Sequence, residues 1–405
     1  MNIDEQVAYL MQGTEYGDDA LASAMEAELK DRLILAQKEG RPLKVYCGYD
    51  PTKPDLHIGH TVTMRKLRQF QELGHHVTFV VGTYTSLIGD PSDKDKLRPR
   101  LSPEEVNENA RTYAEQAFRV LDREKTSTRF NAEWLADLTL EDMIKLASNF
   151  TIQQFMTREN FRKRWENNEA IHFHELFYAI MQGYDAHTLD TDVQVGGTDQ
   201  LFNIVTASRK IMTYYGQKPN IGIILAILPG TDGKVKMSKS VGNHIPLNST
   251  PEDMYGKVMS VPDHVMPIYA KLVTNWRPDE VGAFCDALES GRMHPRDAKM
   301  KLAREIVSVY YSPAEAERAQ SNFVTLFQKG DIPDSISAYG IDGEESLLDI
   351  MLKAGLVESK GQGRRLIEQR GVRLDGNVVL DPMLIINDHG VLQVGKRQFL
   401  EIKLK

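Results

Sequence analysis

The sequence contains little cysteine and no long apolar run. Its 405 residues include only Cys47 and Cys285, which cannot build a disulfide framework for a chain of this length or a four-thiolate zinc site. The longest apolar stretch, Ile221 to Leu228, is far shorter than the roughly 20 residues of a membrane helix. The acidic N-terminus lacks the basic and apolar segments of a secretory signal. These absences predict a cytoplasmic protein with no membrane contact.

An excess of positive charge is also absent. The chain has 49 Lys and Arg residues against 57 Asp and Glu residues, and its net charge is −8. Such a chain does not coat nucleic acid or anionic membrane unselectively, so any RNA or phosphate site must be a local patch. With 41% hydrophobic and 26% charged residues the composition excludes wholesale disorder, and the length predicts two to three domains.

The pattern along the chain predicts an α/β fold. Between about residues 40 and 245, short β-rich runs alternate with helical stretches, which indicates βαβ units on a Rossmann-like parallel sheet. Ligands bind such sheets at the carboxyl ends of the strands. We therefore predict a catalytic domain over residues 1–245, with an N-terminal helical extension.

The remainder of the chain predicts two further domains. Capping hydroxyls precede prolines at Thr250-Pro251 and Ser312-Pro313, as at helix starts, which predicts an all-helical domain over 246–330. A polar stretch with glycines over 331–345 is predicted as a linker. A small α+β domain is predicted over 346–405, where Asp375-Gly376-Asn377 lies between two apolar runs as a hairpin turn.

Two short stretches are suited to binding phosphate. His57-Ile58-Gly59-His60 opens a predicted helix directly after a predicted strand and turn, where backbone N–H groups and the helix dipole favour an anion. Lys236-Met237-Ser238-Lys239-Ser240 follows the last predicted strand of the α/β region and supplies ammonium and hydroxyl donors. Either stretch alone is also typical of ordinary surface residues. Both together, at the ends of the first and last strands, predict a polyphosphate site.

These two stretches, on an alternating α/β domain, resemble the signatures of the class I aminoacyl-tRNA synthetases. Further motifs in the same order resemble those of the tyrosyl-tRNA synthetases, and the resemblance extends from about residue 40 to the C-terminus. These motifs are Tyr46-Cys47-Gly48-Tyr49-Asp50-Pro51-Thr52, Leu87-Ile88-Gly89-Asp90-Pro91-Ser92, Tyr178-Ala179-Ile180-Met181-Gln182-Gly183-Tyr184-Asp185 and Gln194-Val195-Gly196-Gly197-Thr198-Asp199-Gln200.

The resemblance implies a set of residues for each substrate. Tyr46 and Asp185 would hydrogen-bond the phenolic hydroxyl of L-tyrosine, and Asp90, Tyr178 and Gln182 would hold its α-ammonium group with help from Asp50 and Gln194. Asp199 and Gln200 would meet the ribose and the reacting carboxylate. The ATP site would further include Gly48, His57, Gly59, His60, Thr63, Lys236, Met237, Ser238, Lys239 and Ser240. Lys236 and Lys239, together with Lys94 and Arg98 from the loop after Asp90, would hold pyrophosphate.

The C-terminal region resembles a small RNA-binding module found in a ribosomal protein and at the end of many bacterial tyrosyl-tRNA synthetases. Residues 360–373 hold five basic side chains against one acidic side chain in an otherwise acidic protein. These residues, expected to meet tRNA phosphates, are Lys360, Arg364, Arg365, Arg370 and Arg373. The helical domain before them resembles the anticodon-recognition domain of the family. A solvated helix face is the alternative interpretation of the basic residues.

The expected function is ATP-dependent activation of tyrosine and its transfer to the terminal ribose of tRNA(Tyr). Mg²⁺ is expected to accompany ATP, without a dedicated protein site for the ion. No tightly bound cofactor and no DNA partner are expected. The resemblance implies a homodimer. Two alternatives remain. A tryptophanyl enzyme on the same scaffold fits the Tyr46 and Asp185 pair poorly, because an indole offers a single N–H donor. An RNA-binding protein without catalysis would not need the four residues His57, His60, Lys236 and Lys239.

Overall fold

The structure is a computed structural model that describes residues 1–51, 56–92, 103–325, 337–395 and 398–404. Contacts between Cα atoms divide the chain into two units. The first unit comprises Met1–Ser249 and Ser260–Tyr310, and the second comprises Thr250–Met259 and Tyr311–Lys405. Among the described residues, no helix is both long and apolar enough to cross a bilayer.

A five-stranded parallel sheet forms the centre of the first unit. Its strands are β1 (Lys44–Tyr49), β2 (His76–Val81), β3 (Thr126–Phe130), β4 (Val193–Gly197) and β5 (Ile221–Leu225). They lie in the order β3-β2-β1-β4-β5, and every pair is parallel. The predicted Rossmann-like sheet is thereby confirmed. The chain reverses its direction of winding between β1 and β4, which is where sheets of this type bind ligands.

Helices precede β1 and connect the strands that follow it. The α-helices up to β5 are α1 (Ile3–Met11), α2 (Asp19–Glu39), α3 (Ile58–Glu72), α4 (Pro103–Ala117), α5 (Ala132–Leu135), α6 (Leu140–Ala147), α7 (Ile152–Met156), α8 (Glu159–Glu166), α9 (His174–Thr188) and α10 (Arg209–Tyr214). Short 3₁₀ helices occupy Thr85–Leu87, Arg123–Lys125 and Thr198–Gln200, and a π-helix occupies Phe202–Ser208.

Local sequence explains where these elements begin and end. Asp18 caps α2 by accepting a hydrogen bond from the Leu21 N–H at 2.7 Å, and Gly40 ends that helix in the left-handed conformation at φ 65°. Strands β4 and β5 are almost wholly buried, as expected of a parallel sheet covered on both faces. The sheet thus forms a rigid base, with loops at the carboxyl ends of its strands.

Helices continue after β5. They are α11 (Pro251–Met259), α12 (Met266–Val273), α13 (Pro278–Glu289), α14 (Pro295–Tyr310) and α15 (Pro313–Val324), with a 3₁₀ turn at Asp263–Val265. Ser312 caps α15, as its position before Pro313 predicts, by accepting the Glu315 N–H at 3.2 Å. Helices α12 to α14 belong to the first unit, whereas α11 and α15 pack together in the second. The predicted domain limits at 245 and 330 stay predictions.

The C-terminal part of the second unit is a small α+β module. Its elements are β6 (Ser337–Ile341), β7 (Glu345–Ser346), α16 (Leu347–Lys353), α17 (Lys360–Glu368), β8 (Val372–Leu374), β9 (Asn377–Val378), β10 (Ile385–Ile386), β11 (Gly390–Val394) and β12 (Gln398–Leu404). The sheet order is β6-β12-β11-β8-β9. Strand β6 lies within the stretch predicted as a linker. This segment forms a strand because its backbone pairs in parallel with β12, which is distant in the sequence.

Candidate active site

A cleft of about 1040 Å³ opens at the carboxyl ends of β1, β4 and β5. Residues from all three strand ends line it, together with the N-terminus of α3, the middle of α9 and the loop after β5. Its lining includes most of the residues predicted to bind ligands: Gly48, Asp50, His57, Gly59, His60, Thr63, Asp90, Tyr178, Gln182, Asp185, Asp199, Gln200, Lys236, Met237, Ser238 and Lys239. The fold therefore brings the separate motifs into one site.

Asp185, on α9, supplies a buried carboxylate to this cleft and is 3% exposed. One oxygen accepts the Trp134 indole N–H at 2.7 Å, and the other accepts the Asn131 amide at 3.3 Å. Burial raises the pKa of Asp185 to about 7, although these two donors oppose the shift. Neutral donors thus hold the carboxylate in place, and it titrates near neutral pH.

Tyr46 lies next to this carboxylate on β1 and is 1% exposed. Its hydroxyl donates to the backbone carbonyl of Gln182 at 3.3 Å. Burial and the negative charge of Asp185 both raise the pKa of Tyr46 well above its usual value. The phenol therefore remains neutral and retains a proton that it can donate.

A chain of hydrogen bonds connects Asp185 with Asp50. The Asn131 amide that contacts Asp185 also donates to the Thr85 hydroxyl at 3.1 Å, and Thr85 donates to Asp50 Oδ1 at 2.7 Å. Tyr178 donates to Asp50 Oδ2 at 3.1 Å. Two negative groups predicted to meet different ends of the same amino acid are thus held in a fixed relation to each other.

A second chain of hydrogen bonds holds Asp90. Gly89 adopts φ 79° immediately before it, a backbone conformation that favours glycine, and Gln200 donates to Asp90 Oδ2 at 2.6 Å. The Asn203 amide, on the π-helix after β4, donates to both Gln200 and Gln182 at 3.0 Å. Three of the predicted substrate-binding side chains are therefore fixed to one another, through an asparagine that is fully buried.

Three predicted residues lie outside the lining of the cleft, as far as the described residues define it: Tyr46, Gln194 and Ser240. Tyr46 reaches the site through its hydrogen bond to Gln182. Gln194 is 1% exposed on β4, and its side-chain oxygen accepts the Asn220 amide at 3.3 Å. Ser240 contacts the Ser238 hydroxyl at 2.9 Å. The predicted roles of these three residues stay predictions.

The histidines of the first signature lie at the start of α3. The two rings of His57 and His60 have centroids 3.8 Å apart, and His60 Nδ1 accepts the backbone N–H of His57 at 3.2 Å. A Cβ at Gly59 would lie 3.0 Å from His57 Nδ1, so a larger residue there would displace the His57 ring by a few tenths of an ångström. The site thus presents two imidazoles at a helix N-terminus, which favours an anion there.

The loop after β5 brings the second signature to the same cleft. Lys236 Nζ lies 3.4 Å from Asp199 Oδ2, and Lys239 also lines the cleft. Met237 between them is 2% exposed, and its N–H donates to the Leu228 carbonyl at 3.0 Å. Buried Met237 fixes the loop while its neighbours supply positive charge. The predicted Lys94 and Arg98 lie outside the described residues.

Sequence reasoning missed four residues that organise this cleft: Thr85, Asn131, Trp134 and Asn203. None belongs to the motifs that predicted the site. Asn131 follows β3, an edge strand that the sequence analysis also missed. A tryptophan three residues after an asparagine is a weak signal in a sequence, because its importance depends on which carboxylate it contacts after folding.

The basic residues predicted to bind RNA lie on the C-terminal module. The side chains of Arg364, Arg365, Arg370 and Arg373 are exposed on α17, on the turn after it and on β8. Lys360, at the start of α17, lies 2.7 Å from Asp349 Oδ1. This ion pair neutralises the charge of Lys360. The four exposed arginines make up the rest of the predicted positive patch.

Two family models match the chain. A model described as tRNA synthetases class I (W and Y) matches residues 37–328, and one described as the S4 domain matches residues 346–389. The first match covers both signatures and the whole cleft.

Curated relatives match the chain along its full length. A tyrosine–tRNA ligase 2 of Clostridium acetobutylicum is 42% identical over 402 residues, which cover 99% of each chain. A tyrosine–tRNA ligase of Moorella thermoacetica is 45% identical, with 93% of this chain and 92% of the relative covered.

Solved structures of two neighbouring families share the fold. A tyrosyl-tRNA synthetase from Archaeoglobus fulgidus in complex with L-tyrosine has a TM-score of 0.60 at 21% identity, covering 79% of this chain and 100% of that one. A tryptophanyl-tRNA synthetase from Plasmodium falciparum has a TM-score of 0.53 at 15% identity, covering 72% and 80%. Fold similarity alone therefore does not separate tyrosine from tryptophan enzymes, whereas the full-length relatives do.

Proposed function

The chain belongs to the class I tRNA synthetases of the tyrosine–tRNA ligase family, and from this membership we propose how its residues divide the reaction. The family joins L-tyrosine to its tRNA in two steps. In the first, the tyrosine carboxylate attacks the α-phosphorus of ATP, which gives tyrosyl-adenylate and releases pyrophosphate. In the second, a hydroxyl of the terminal ribose of the tRNA attacks the tyrosyl carbonyl carbon and AMP leaves.

Tyr46 and Asp185 recognise the phenolic hydroxyl of the substrate in this proposal. The observation that carries it is the buried Asp185 carboxylate, which two neutral donors orient toward the cleft beside a Tyr46 hydroxyl that keeps its proton. One group accepts the substrate proton and the other donates to the substrate oxygen. Phenylalanine is rejected because it lacks the hydroxyl that would donate to the buried Asp185 carboxylate and accept from Tyr46. Rejection of this kind is already known for tyrosyl-tRNA synthetases, and Tyr46 and Asp185 are the residues to which we assign it.

The α-ammonium group of the substrate is held by Asp90, Tyr178 and Gln182, with Asp50 behind them. Tyr178 already contacts Asp50, and Asn203 together with Gln200 fixes Gln182 and Asp90. A carboxylate in a preorganised network attracts an ammonium without having to reorganise when the substrate arrives. The tyrosine carboxylate is thereby held toward the part of the cleft that contains Asp199 and the histidines.

Catalysis of adenylation depends on positioning and on positive charge. A carboxylate that attacks phosphorus needs little acid or base assistance, so the main requirement is to stabilise charge on the leaving pyrophosphate. We assign that role to Lys236 and Lys239, and binding of the ATP phosphates and ribose to the region of His57, His60 and Asp199. Mg²⁺ enters with ATP, because this ion is usually held largely by substrate phosphates.

Transfer to tRNA requires a surface outside the cleft. The exposed arginines of α17 and β8 are proposed to bind tRNA phosphates, and the helical region over 246–330 to contact the anticodon. Their contribution is electrostatic, so it must weaken as salt increases. A cytoplasmic location, proposed from the low cysteine content, fits a partner that is tRNA.

A homodimer is proposed from an apolar surface on the first unit. Large apolar side chains on α6, α7, α8 and the start of α9 are strongly exposed, with Leu140 at 77% and Trp165 at 69%. Monomeric proteins rarely expose extended apolar patches, and a two-fold axis lets one patch cover its own copy. Sedimentation of Leu140→Asp combined with Ile144→Asp tests this: the proposal predicts monomers, and an unchanged mass contradicts it.

Exchange of labelled pyrophosphate into ATP, without tRNA, tests the proposed function. Tyrosine, phenylalanine and tryptophan are compared at equal concentrations. The proposal predicts exchange with tyrosine and little with the other two amino acids. Exchange driven by tryptophan would assign the neighbouring family, and no exchange from folded protein that binds tRNA would favour the RNA-binding alternative.

A further inference from the structure

The loop that carries Lys236 and Lys239 is shaped by a residue outside its signature. Asn243 is 5% exposed, and its side-chain oxygen accepts the Ser238 N–H at 2.8 Å. Its amide nitrogen donates to Asp232 Oδ2 at 2.8 Å and lies 3.3 Å from the Lys236 carbonyl. One side chain thus connects the beginning, the middle and the end of the loop.

Asp232 extends this connection into the turn that precedes Lys236. Its Oδ1 accepts the N–H groups of Lys234 at 2.9 Å and Val235 at 3.3 Å. Those backbone donors and the Asn243 amide hold the pKa of Asp232 below its usual value. The carboxylate is therefore ionised at neutral pH and presents a stable acceptor to Asn243.

The backbone closes tightly around the same asparagine. The Asn243 carbonyl accepts the Thr231 N–H at 2.8 Å, and Gly230 donates to the Val235 carbonyl at 2.8 Å. A Cβ at Gly230 would lie 2.1 Å from the Asn243 amide nitrogen, so only glycine fits against it. This close packing leaves Asn243 little freedom to adopt another rotamer.

We propose that Asn243, together with Asp232, is a positioning residue for the adenylation step, because it sets the direction in which Lys236 and Ser238 face the cleft. This role rests on the proposed function of the lysine loop. It goes beyond that function, since Asn243 is not in the lining of the cleft as described and acts through the loop. Misplacing a charged donor by a short distance is enough to weaken stabilisation of the leaving group.

Pyrophosphate exchange, with ATP and tyrosine varied separately, tests the positioning role. Asn243→Ala is expected to lower kcat/KM for ATP by about tenfold or more, since the side-chain hydrogen bonds to Asp232, Lys236 and Ser238 that shape the loop are removed. The KM for tyrosine should stay within about twofold, because the bonds described above join Asn243 to the loop and not to the tyrosine end of the cleft. Asn322→Ala, which removes an asparagine side chain from α15, is the control and should leave both parameters unchanged.

A charge exchange distinguishes positioning from a general loss of stability. Asn243→Asp places two carboxylates against each other and should lower kcat/KM for ATP strongly. Adding Asp232→Asn restores the hydrogen bond between the two side chains in the opposite sense, but not the donation to the Lys236 carbonyl, and should recover part of that loss. If Asn243→Ala does not fold, this pair of variants decides, and absence of recovery overturns the positioning role.

Lys236→Ala, measured in parallel, separates failure of the positioning role from failure of the proposed function. If Lys236→Ala lowers kcat/KM for ATP and Asn243→Ala does not, Asn243 has no positioning role. A parallel loss for tyrosine and ATP in Asn243→Ala would overturn positioning in favour of a structural role. If Lys236→Ala itself has no effect, the loop does not bind pyrophosphate and the proposed function fails at that point.

Discussion

The cleft of the first unit and the C-terminal module both carry charged side chains, but in opposite environments. In the cleft, Asp185 is 3% exposed and two neutral donors fix it, whereas Arg364 and Arg365 are exposed on one face of α17. Buried charges act in a low dielectric and at fixed positions, while exposed ones are screened by water and salt. In the proposal above, the cleft therefore discriminates between substrates, and the module attracts RNA.

Removing the charge of Asp185 should give the largest effect. Asp185→Asn is expected to lower kcat/KM for tyrosine by about 100-fold, because a hydrogen bond to a charged group is worth about 1.5–3 kcal/mol and the amide leaves one of the two donors without an acceptor. Pyrophosphate exchange measures the loss. Asp286→Asn removes an exposed carboxylate from α13 and should change nothing. Equal effects of the two variants would contradict the claim that the buried Asp185 carboxylate contributes more to tyrosine activation than an exposed carboxylate does.

The lysine loop should show the next largest effect. Lys239→Ala is expected to lower kcat for exchange by about tenfold to 100-fold, because it removes a cation from the leaving pyrophosphate. Tyrosine binding, measured by equilibrium dialysis, should be unchanged. Lys234→Ala, an exposed lysine of the same loop that is not in the described lining, is the matched control. Unchanged exchange in Lys239→Ala would contradict the assignment.

The pH dependence of tyrosine activation tests the neutral donors around Asp185. The free enzyme should lose kcat/KM for tyrosine as the pH falls through about 7, where the Asp185 carboxylate takes up a proton. Trp134→Phe removes a donor that lowers this pKa, so the midpoint should move upward by about one pH unit. A midpoint that does not move, or moves downward, contradicts the role given to the indole.

The same titration has a defined effect on stability. Because the pKa of Asp185 in the folded protein lies above the value for an unfolded chain, the folded state binds the proton more tightly. Its contribution is therefore fully present below about pH 4 and is lost as the pH rises to about 7. Asp185→Asn should flatten this part of the dependence of the unfolding free energy on pH, as measured by urea denaturation. The same slope in the variant and the wild type would contradict the titration assigned to Asp185.

The exposed arginines should give the smallest and most salt-dependent effect. Arg364→Gln with Arg365→Gln is expected to raise KM for tRNA several-fold and to reduce the salt slope of binding by about one for each phosphate that is no longer neutralised. Pyrophosphate exchange without tRNA should not change. Lys38→Gln on α2, which removes one exposed positive charge outside the module, is the control and should leave tRNA binding unchanged. A loss of exchange activity in the double variant would contradict the separation of the two regions.

The sequence predicted those parts of the molecule that depend on neighbours along the chain. The strand-to-helix step at His57, the cap at Ser312 and the two-residue turn at Asp375 and Gly376 each follow from local conformational preferences, and each is present. The paired turn residues have φ 49° and 79°, as a tight hairpin of this type requires.

Elements that depend on distant partners were not predictable in the same way. Strand β3, at the edge of the sheet, has the polar sequence Thr126–Phe130 and is half-exposed, so no apolar run marks it. Strand β6 adopts its extended conformation because its backbone pairs with β12, which is distant in the sequence. In the cleft, Asn131 and Trp134 have a role only because the fold places Asp185 within hydrogen-bonding distance of both side chains.

The ratio of kcat/KM for tyrosine to that for phenylalanine, measured by pyrophosphate exchange in the wild type and in Tyr46→Phe, tests the central claim most directly. That claim is that the buried side chains of Tyr46 and Asp185 recognise the substrate hydroxyl by hydrogen bonding. The ratio should be on the order of 10⁴ or more in the wild type, as is known for tyrosyl-tRNA synthetases, and should fall by at least about tenfold in Tyr46→Phe. An unchanged ratio in the folded variant would contradict the claim.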